Sequence, residues 1–272
     1  MTAPLTGRTA IVTGGGSGIG RATAELLVAD GAHVLVAART ASKLEGVVDA
    51  LAPIAAAAGG SIRWSACDAA DDEAVAEAVA LAAEPTGALD MAVSVPGGGT
   101  MGSILDVEPA EFERVVSFNV MVPFLLLRHA GRAMRDHGGG AFVAVSSTAA
   151  VQSSRYLASY CAGKAAVDTM VRVAADELGV HGIRVNAVRP GFTETDATAG
   201  LLTNDDVIAQ YLARQPISRV GRAGDIAAAI RHLVGPESSW TTGQCLTVDG
   251  GHTLRDFVDF TSVVASRQRQ GA

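Results

Sequence analysis

The stretch Thr13-Gly14-Gly15-Gly16-Ser17-Gly18-Ile19-Gly20 (TGGGSGIG, residues 13–20) lies between a β-branched run, Arg8–Val12, and an Ala- and Leu-rich stretch, Arg21–Asp30. A glycine string by itself reads only as a turn. With a strand before it and a helix after it, it reads as a phosphate loop. Glycines let the chain turn tightly and let backbone approach a ligand closely, while the helix N-terminus offers free N–H groups and partial positive charge to a pyrophosphate. Gly14, Gly16, Ser17, Gly18 and Ile19 are therefore candidate cofactor-binding residues.

Outward from this loop, short apolar runs alternate with longer helical stretches. Strands are expected at Arg8–Val12, His33–Ala37, Ile62–Ala66, Met91–Val95, Ala141–Val145, Arg184–Val188 and Gln244–Val248. Helices are expected at Arg21–Asp30, Asp72–Ala83, Glu111–Arg135, Ser159–Gly179 and Asp225–Leu233, with the acidic run Asp68–Glu73 capping the second of these. Such alternation predicts an α/β fold, a parallel sheet covered by helices on both faces. Near-continuously apolar strands suit a sheet buried on both sides. Ala52–Gly60 reads as a helix end and loop, and Thr193–Gln215 as a long lid or binding connection. The 272 residues suit one domain, 1–272, with a core of about 5–252 and a C-terminal extension, 253–272.

Composition narrows the function classes. The net charge of −7, with scattered Lys and Arg, argues against nucleic-acid binding. No apolar run is long enough for a membrane span, and Met1–Arg8 lacks a signal-peptide core. Cys67, Cys161 and Cys245 lie far apart and read as small buried hydrophobes in a reducing cytosol, so a cytoplasmic location is expected. Neither the cysteines nor the histidines show metal-ligand spacing, so no metal is expected.

About 20 residues beyond the glycine loop, an acid would hold the adenosine ribose hydroxyls, whereas Arg would accommodate a 2′-phosphate. The second strand ends Val36-Ala37-Ala38-Arg39: Ala38 takes the acid's place, Arg39 follows, and Lys43 lies one helical turn on. NADP(H) is the expected cofactor and NAD(H) the alternative.

The candidate chemistry gathers downstream. Tyr160 and Lys164 stand four apart near a helix start, hence on one face. An ammonium beside a phenol favours phenolate, so a lowered tyrosine pKa is expected, fitting Tyr160 as acid toward a carbonyl or base toward an alcohol. Ser147 ends the fifth strand, at the carboxyl edge where ligands of parallel sheets bind. Asn119 lies inside a helix, four residues before Pro123, which has no N–H to bond the carbonyl of residue 119.

These motifs together resemble the short-chain dehydrogenase/reductase family over roughly residues 5–252. The resemblance rests on TGGGSGIG, Cys67-Asp68, Asn119, Ser147, Tyr160 with Lys164, Asn186 with Arg189-Pro190-Gly191, and Thr242-Gly243-Gln244 with Val248-Asp249-Gly250-Gly251, in family order. It implies a Rossmann-like doubly wound fold of about seven parallel strands and a catalytic tetrad of Asn119, Ser147, Tyr160 and Lys164. In that reading tyrosine is the acid/base, serine positions the substrate oxygen, lysine also binds the nicotinamide ribose, and the Asn119 carbonyl holds a relay water. Asp68 would meet the adenine; Pro190, Thr193 and Thr195 would hold the nicotinamide carboxamide. The three residues between Tyr160 and Lys164 match carbonyl reducers rather than enoyl reductases.

One stretch departs from the family pattern. Its Asn-Asn-Ala-Gly after the fourth strand is replaced by Ser94-Val95-Pro96-Gly97. Ser94 keeps one hydrogen-bonding group and Gly97 still permits close approach to cofactor. In the family it resembles, the tyrosine-bearing helix commonly builds a subunit interface, so the resemblance, with the small residues Ala162, Gly163, Ala165 and Ala166, implies a homotetramer or homodimer; an internal helix contact would use the same small residues. Phe257, Val258 and Phe260 in the tail are candidates for docking. The expected partner is a small carbonyl or alcohol substrate; the competing class is a catalytically silent, cofactor-binding regulatory or scaffold protein.

Overall fold

The computed structural model describes residues 3–95 and 97–255; Pro96 and the tail residues Phe257, Val258 and Phe260 lie outside it. In chain order the elements are β1 (Thr9–Thr13), α1 (Gly18–Ala29), β2 (His33–Ala38), α2 (Ala41–Ala57), β3 (Ser61–Ala66), α3 (Asp72–Ala83), β4 (Met91–Ser94), α4 (Pro109–Arg135), β5 (Gly140–Val145), α5 (Ala158–Leu178), β6 (Ile183–Pro190), β7 (Thr193–Glu194), α6 (Ala199–Leu202), α7 (Asp205–Arg214), β8 (Gly221–Arg222), α8 (Ala223–Val234) and β9 (Cys245–Val248).

Seven strands form one parallel sheet in the order β3-β2-β1-β4-β5-β6-β9; β7 and β8 form a separate parallel pair. Successive side chains along a strand point to opposite faces. In β1, Ala10 and Val12 enter a core cluster with Leu27, Leu44, Ile226 and Ile230. Ile11 enters the other, with Val75, Leu126, Phe142, Val167 and Val171. Hence α1, α2 and α8 cover one face and α3, α4 and α5 the other, which is why the strands β1, β2, β4 and β5 carry no polar alternation.

Several predicted boundaries hold closely. α3 spans Asp72–Ala83, and its N-cap, Asp71, accepts from the backbone N–H groups of Glu73 and Ala74. α1 begins three residues earlier than expected, at Gly18, and α4 begins at Pro109, whose fixed φ suits a first helical turn. α2 ends at Ala57, inside the stretch read as a helix end. The long connection after β6 contains β7, α6 and α7. Among the described residues, no helix is long and apolar enough to cross a membrane.

Strand order reverses direction between β1 and β4, and such a switch point opens a crevice at the carboxyl ends of the strands. The register Thr13↔Ser94 sets the glycine loop beside Ser94 at that crevice.

Candidate active site

The glycine loop leaves β1 in a shape that side chains would obstruct. Gly14 has φ +73° and Gly18 φ +49°, the left-handed region that glycine tolerates. A Cβ on Gly14 would stand 2.5 Å from the Val95 carbonyl oxygen, and one on Gly15 2.7 Å from Val36 Cβ. Gly16 faces Lys43 and Ala38, and Ile19 packs on the core. Ser17 is the N-cap of α1 yet makes no side-chain cap hydrogen bond, so the first-turn N–H groups are available to an anion. This cradle fits a dinucleotide pyrophosphate. A Cβ on Gly18 would lie 3.2 Å from Thr195 Cβ, so the segment after β7 forms the opposite wall.

Arg39 is exposed just past β2 and has no ion pair among the described residues. Lys43 does have one: its Nζ lies 2.9 Å from Asp196 Oδ2, and Ser17 also hydrogen-bonds that carboxylate. Asp68 is exposed and accepts from the Ala70 N–H at 3.1 Å. Pro190 ends β6 opposite Val248, and the Thr193 hydroxyl donates to the Gly191 carbonyl at 3.0 Å. Gly97 is exposed with open space around its Cα.

At the adjoining strand end, Ser147, Tyr160 and Lys164 come together. Ser147 and Tyr160 share a side-chain hydrogen bond, and Ser147 Oγ also accepts from the Ala149 N–H. Lys164 is buried, with Nζ donating to the Val145 carbonyl at 2.9 Å and lying 5.6 Å from the Tyr160 ring centre. The expected lowering of the tyrosine pKa is not what this arrangement produces. Burial pushes the Tyr160 phenol up, and the Ser147 hydrogen bond draws it only partly back. Desolvation acts on Lys164 in the opposite sense, lowering it to about 8, with the Asp168 carboxylate resisting. An ammonium aimed at a backbone carbonyl, itself weakened by burial, cannot outweigh the loss of water around the phenol.

Asn119 is buried in α4 against α5, where a Cβ on Gly163 would meet Asn119 Cβ at 2.9 Å. The small residues of α5 thus serve at least one contact inside the chain. Asn119 Nδ2 donates to the Gly98 and Val115 carbonyls, both at 2.9 Å, while its Oδ1 is buried without a hydrogen-bond partner among the described residues. Through the first of those bonds α4 holds the backbone at Gly98, just past the departing segment. Ser94 Oγ, also buried, has no such partner.

The entrance is apolar. Gly99 packs on Tyr160 with no room for a side chain: an added Cβ would lie 3.0 Å from Tyr160 Cβ. The Gly102 N–H donates to the carbonyl of Tyr156, which adopts φ +69°, joining the loop after β4 to the one after β5. Met101, Ile104, Leu105, Val151 and Tyr156 are exposed on these two loops. From α7 in the long connection after β6, Tyr211 stacks on Phe192, with ring centres 4.3 Å apart. Cys67 and Cys245 are pushed up to about 11 by burial, so both remain thiols.

Two pairings were not read from the sequence: Lys43 with Asp196, and Arg189 with Asp168, Nε to Oδ2 at 2.7 Å. A signal for the second existed, because Tyr160, Lys164 and Asp168 repeat every four residues along one helix face.

Known proteins resemble this chain in sequence and fold. A family model described as Enoyl-(Acyl carrier protein) reductase matches residues 14–253. The 2,5-dichloro-2,5-cyclohexadiene-1,4-diol dehydrogenase of Sphingobium indicum is 39% identical over 254 residues, covering 92% of this chain and 98% of that one. A solved short-chain type dehydrogenase/reductase from Mycobacterium ulcerans superposes with a TM-score of 0.90 at 37% identity, covering 98% of this chain and 96% of that one. A solved 7α-hydroxysteroid dehydrogenase, complexed with NADH and 7-oxo glycochenodeoxycholic acid, gives 0.86 at 34% identity, covering 92% and 96%. With its parallel sheet, glycine loop and these relatives, the chain belongs to the short-chain dehydrogenase/reductase family, oxidoreductases that act on CH–OH groups.

Proposed function

We propose that this chain transfers a hydride between NADP(H) and a cyclic secondary alcohol or its ketone, with Tyr160 as the general acid/base. One observation carries the reading: the Tyr160 hydroxyl shares a hydrogen bond with Ser147 beside the buried Lys164, at the carboxyl end of β5. The nicotinamide, when bound, supplies or accepts the hydride. Ser147 orients the reacting oxygen and Tyr160 gives it a proton, or takes one in the reverse direction. Lys164 stabilises the phenolate left behind. The Asn119 carbonyl, which Pro123 has no N–H to bond, is assigned a relay water on the Lys164 side.

The raised Tyr160 pKa supports reduction at neutral pH, because the phenol then holds the proton it must donate. Arg39, exposed, without an ion pair among the described residues and directly after Ala38, which takes the place of a ribose-binding acid, supports NADP(H) over NAD(H). The ring-shaped substrate is supported by the apolar entrance and by two relatives named for ring hydroxyl or oxo compounds. The description of the matching family model favours a second reading, C=C reduction; the spacing Tyr160–Lys164 and the hydroxyl-directed names of the relatives weigh against it.

The test is a spectrophotometric screen of NADPH and NADH oxidation across cyclic ketones, enones and linear carbonyls, with Tyr160→Phe beside it. Turnover of cyclic ketones that vanishes in Y160F, with cofactor binding retained, is expected. Turnover of enones alone would support the second reading, and cofactor binding without any turnover would leave a silent scaffold.

A further inference from the structure

The helix that carries Tyr160 and Lys164 continues the same face with Asp168, four residues on. This carboxylate is deeply placed, its side chain 4% exposed, and it meets Arg189, 16% exposed, at 2.7 Å. Arg189 comes from β6, immediately before Pro190, so the pair ties the catalytic helix to the strand that leads into the lid. Asp168 Oδ1 is buried and has no hydrogen-bond partner among the described residues. A buried ion pair with an unsatisfied oxygen is a poor stabilising device, since the desolvation of two charges consumes most of their attraction. Its position offers another use.

We infer that Asp168 is a positioning residue for the proposed hydride transfer: one helical turn from Lys164 and held by Arg189, its carboxylate supports the ammonium without capturing it. This rests on the reading of Tyr160 and Lys164 given above. An unaccompanied carboxylate one turn away would compete for Lys164 Nζ, drawing it from the Val145 carbonyl and from the Tyr160 side of the helix. Arg189 occupies Oδ2 and prevents that, while the carboxylate charge still acts on Lys164 from one helical turn away. The groups around this pair are Lys164 and Arg172 on α5, Arg189 on β6 and Cys245 on β9, whose thiol lies 3.9 Å from the Asp168 carbonyl oxygen. The Tyr160 ring centre lies 5.6 Å from Lys164 Nζ. Of the charges acting on Lys164, Asp168 is the one that opposes its desolvation.

The chain has two lysines, Lys43 and Lys164, which makes the test direct. In cofactor-free protein labelled with ¹³C at lysine Cε, NMR gives two titrating signals, and Lys43→Arg assigns them. Asp168→Asn, nearly isosteric and still able to accept from Arg189, is expected to move the Lys164 midpoint down by about one pH unit, a tenfold loss of proton affinity. Arg189→Gln, which frees the carboxylate, is expected to move it up. The alkaline limb of kcat/KM is expected to follow in the same two directions, and Asp168→Glu to restore the midpoint toward wild type. A structural role alone would lower activity evenly across pH. If folded D168N and R189Q leave the Lys164 midpoint in place, or move it the same way, the inference is overturned. Should D168N fail to fold, the direction of the R189Q shift decides alone. If the midpoints shift as stated but no carbonyl is reduced, the Asp168–Lys164 relation stands and the reading of the reaction falls.

Discussion

Lys43 Nζ and Asp196 Oδ2 lie 2.9 Å apart, and this ion pair spans 153 residues of sequence to join the start of α2 to the segment after β7. With Thr195 against Gly18, it closes the lid side of the glycine cradle. Both partners are more than half exposed, and such pairs contribute about 0.2–1 kcal/mol, less in salt. Asp196→Asn is therefore expected to leave the melting temperature nearly unchanged and to speed cofactor release by up to about fivefold, the rate equivalent of that energy. Stopped-flow NADPH fluorescence measures it, and added salt should reproduce part of the effect in wild type. Equal release rates in variant and wild type would mean that the latch does not retain cofactor.

Arg39 leads to a prediction of opposite kind, because among the described residues it has no ion pair to lose. Arg39→Asp replaces a candidate 2′-phosphate contact with a like charge and restores an acid near the ribose hydroxyls. Affinity for NADPH is expected to fall at least about tenfold, while that for NADH holds or improves. Fluorescence titration of both cofactors against both proteins checks this. Tighter NADH than NADPH binding by the wild-type chain would refute the cofactor preference outright.

What could be read beforehand was local. The helix Asp72–Ala83 was legible because an acid cap and a helical apolar spacing sit next to each other in the chain. Tyr160 and Lys164 were legible because four residues along a helix fix a shared face. Asp168 with Arg189 and Lys43 with Asp196 were not, since the sheet brings them together and no short spacing announces it. The direction of the Tyr160 shift was misjudged for a related reason: residue spacing shows which charge is near but not how much water has gone. The brace of the Ser94–Gly97 stretch was equally hidden, because it is an amide from Asn119 on α4 that reaches the Gly98 carbonyl.

Ser94 offers a test that separates ligand binding from folding. Its hydroxyl is buried at the switch point with no hydrogen-bond partner among the described residues, a cost of about 1–3 kcal/mol to the fold. Ser94→Ala should therefore melt at least about 2 °C higher without cofactor. If the hydroxyl serves the nicotinamide side of the cofactor, the extra stabilisation by NADPH should shrink in the variant. Scanning calorimetry with and without NADPH gives both quantities. A lower melting point in S94A would show that the hydroxyl is satisfied in the folded chain.

Lys164 should weaken the fold that it serves. Its pKa falls from 10.5 to about 8 on folding, so below pH 8 the native state bears the full cost of a buried ammonium. Between pH 8 and 10.5 the native lysine is neutral while the unfolded one still binds a proton. The penalty therefore fades as pH rises and is gone above 10.5. At neutral pH it is worth about 3 kcal/mol, at 1.36 kcal/mol per pH unit. Lys164→Met removes that penalty but leaves the Val145 carbonyl without its donor, a loss of about 1 kcal/mol. Relative to wild type, the variant is expected to be about 2 kcal/mol more favoured at pH 7 than at pH 10, and to have no measurable turnover. Urea unfolding at the two pH values reads the difference. A stability difference that does not change between them would mean that the ammonium is better solvated or better paired than its burial implies.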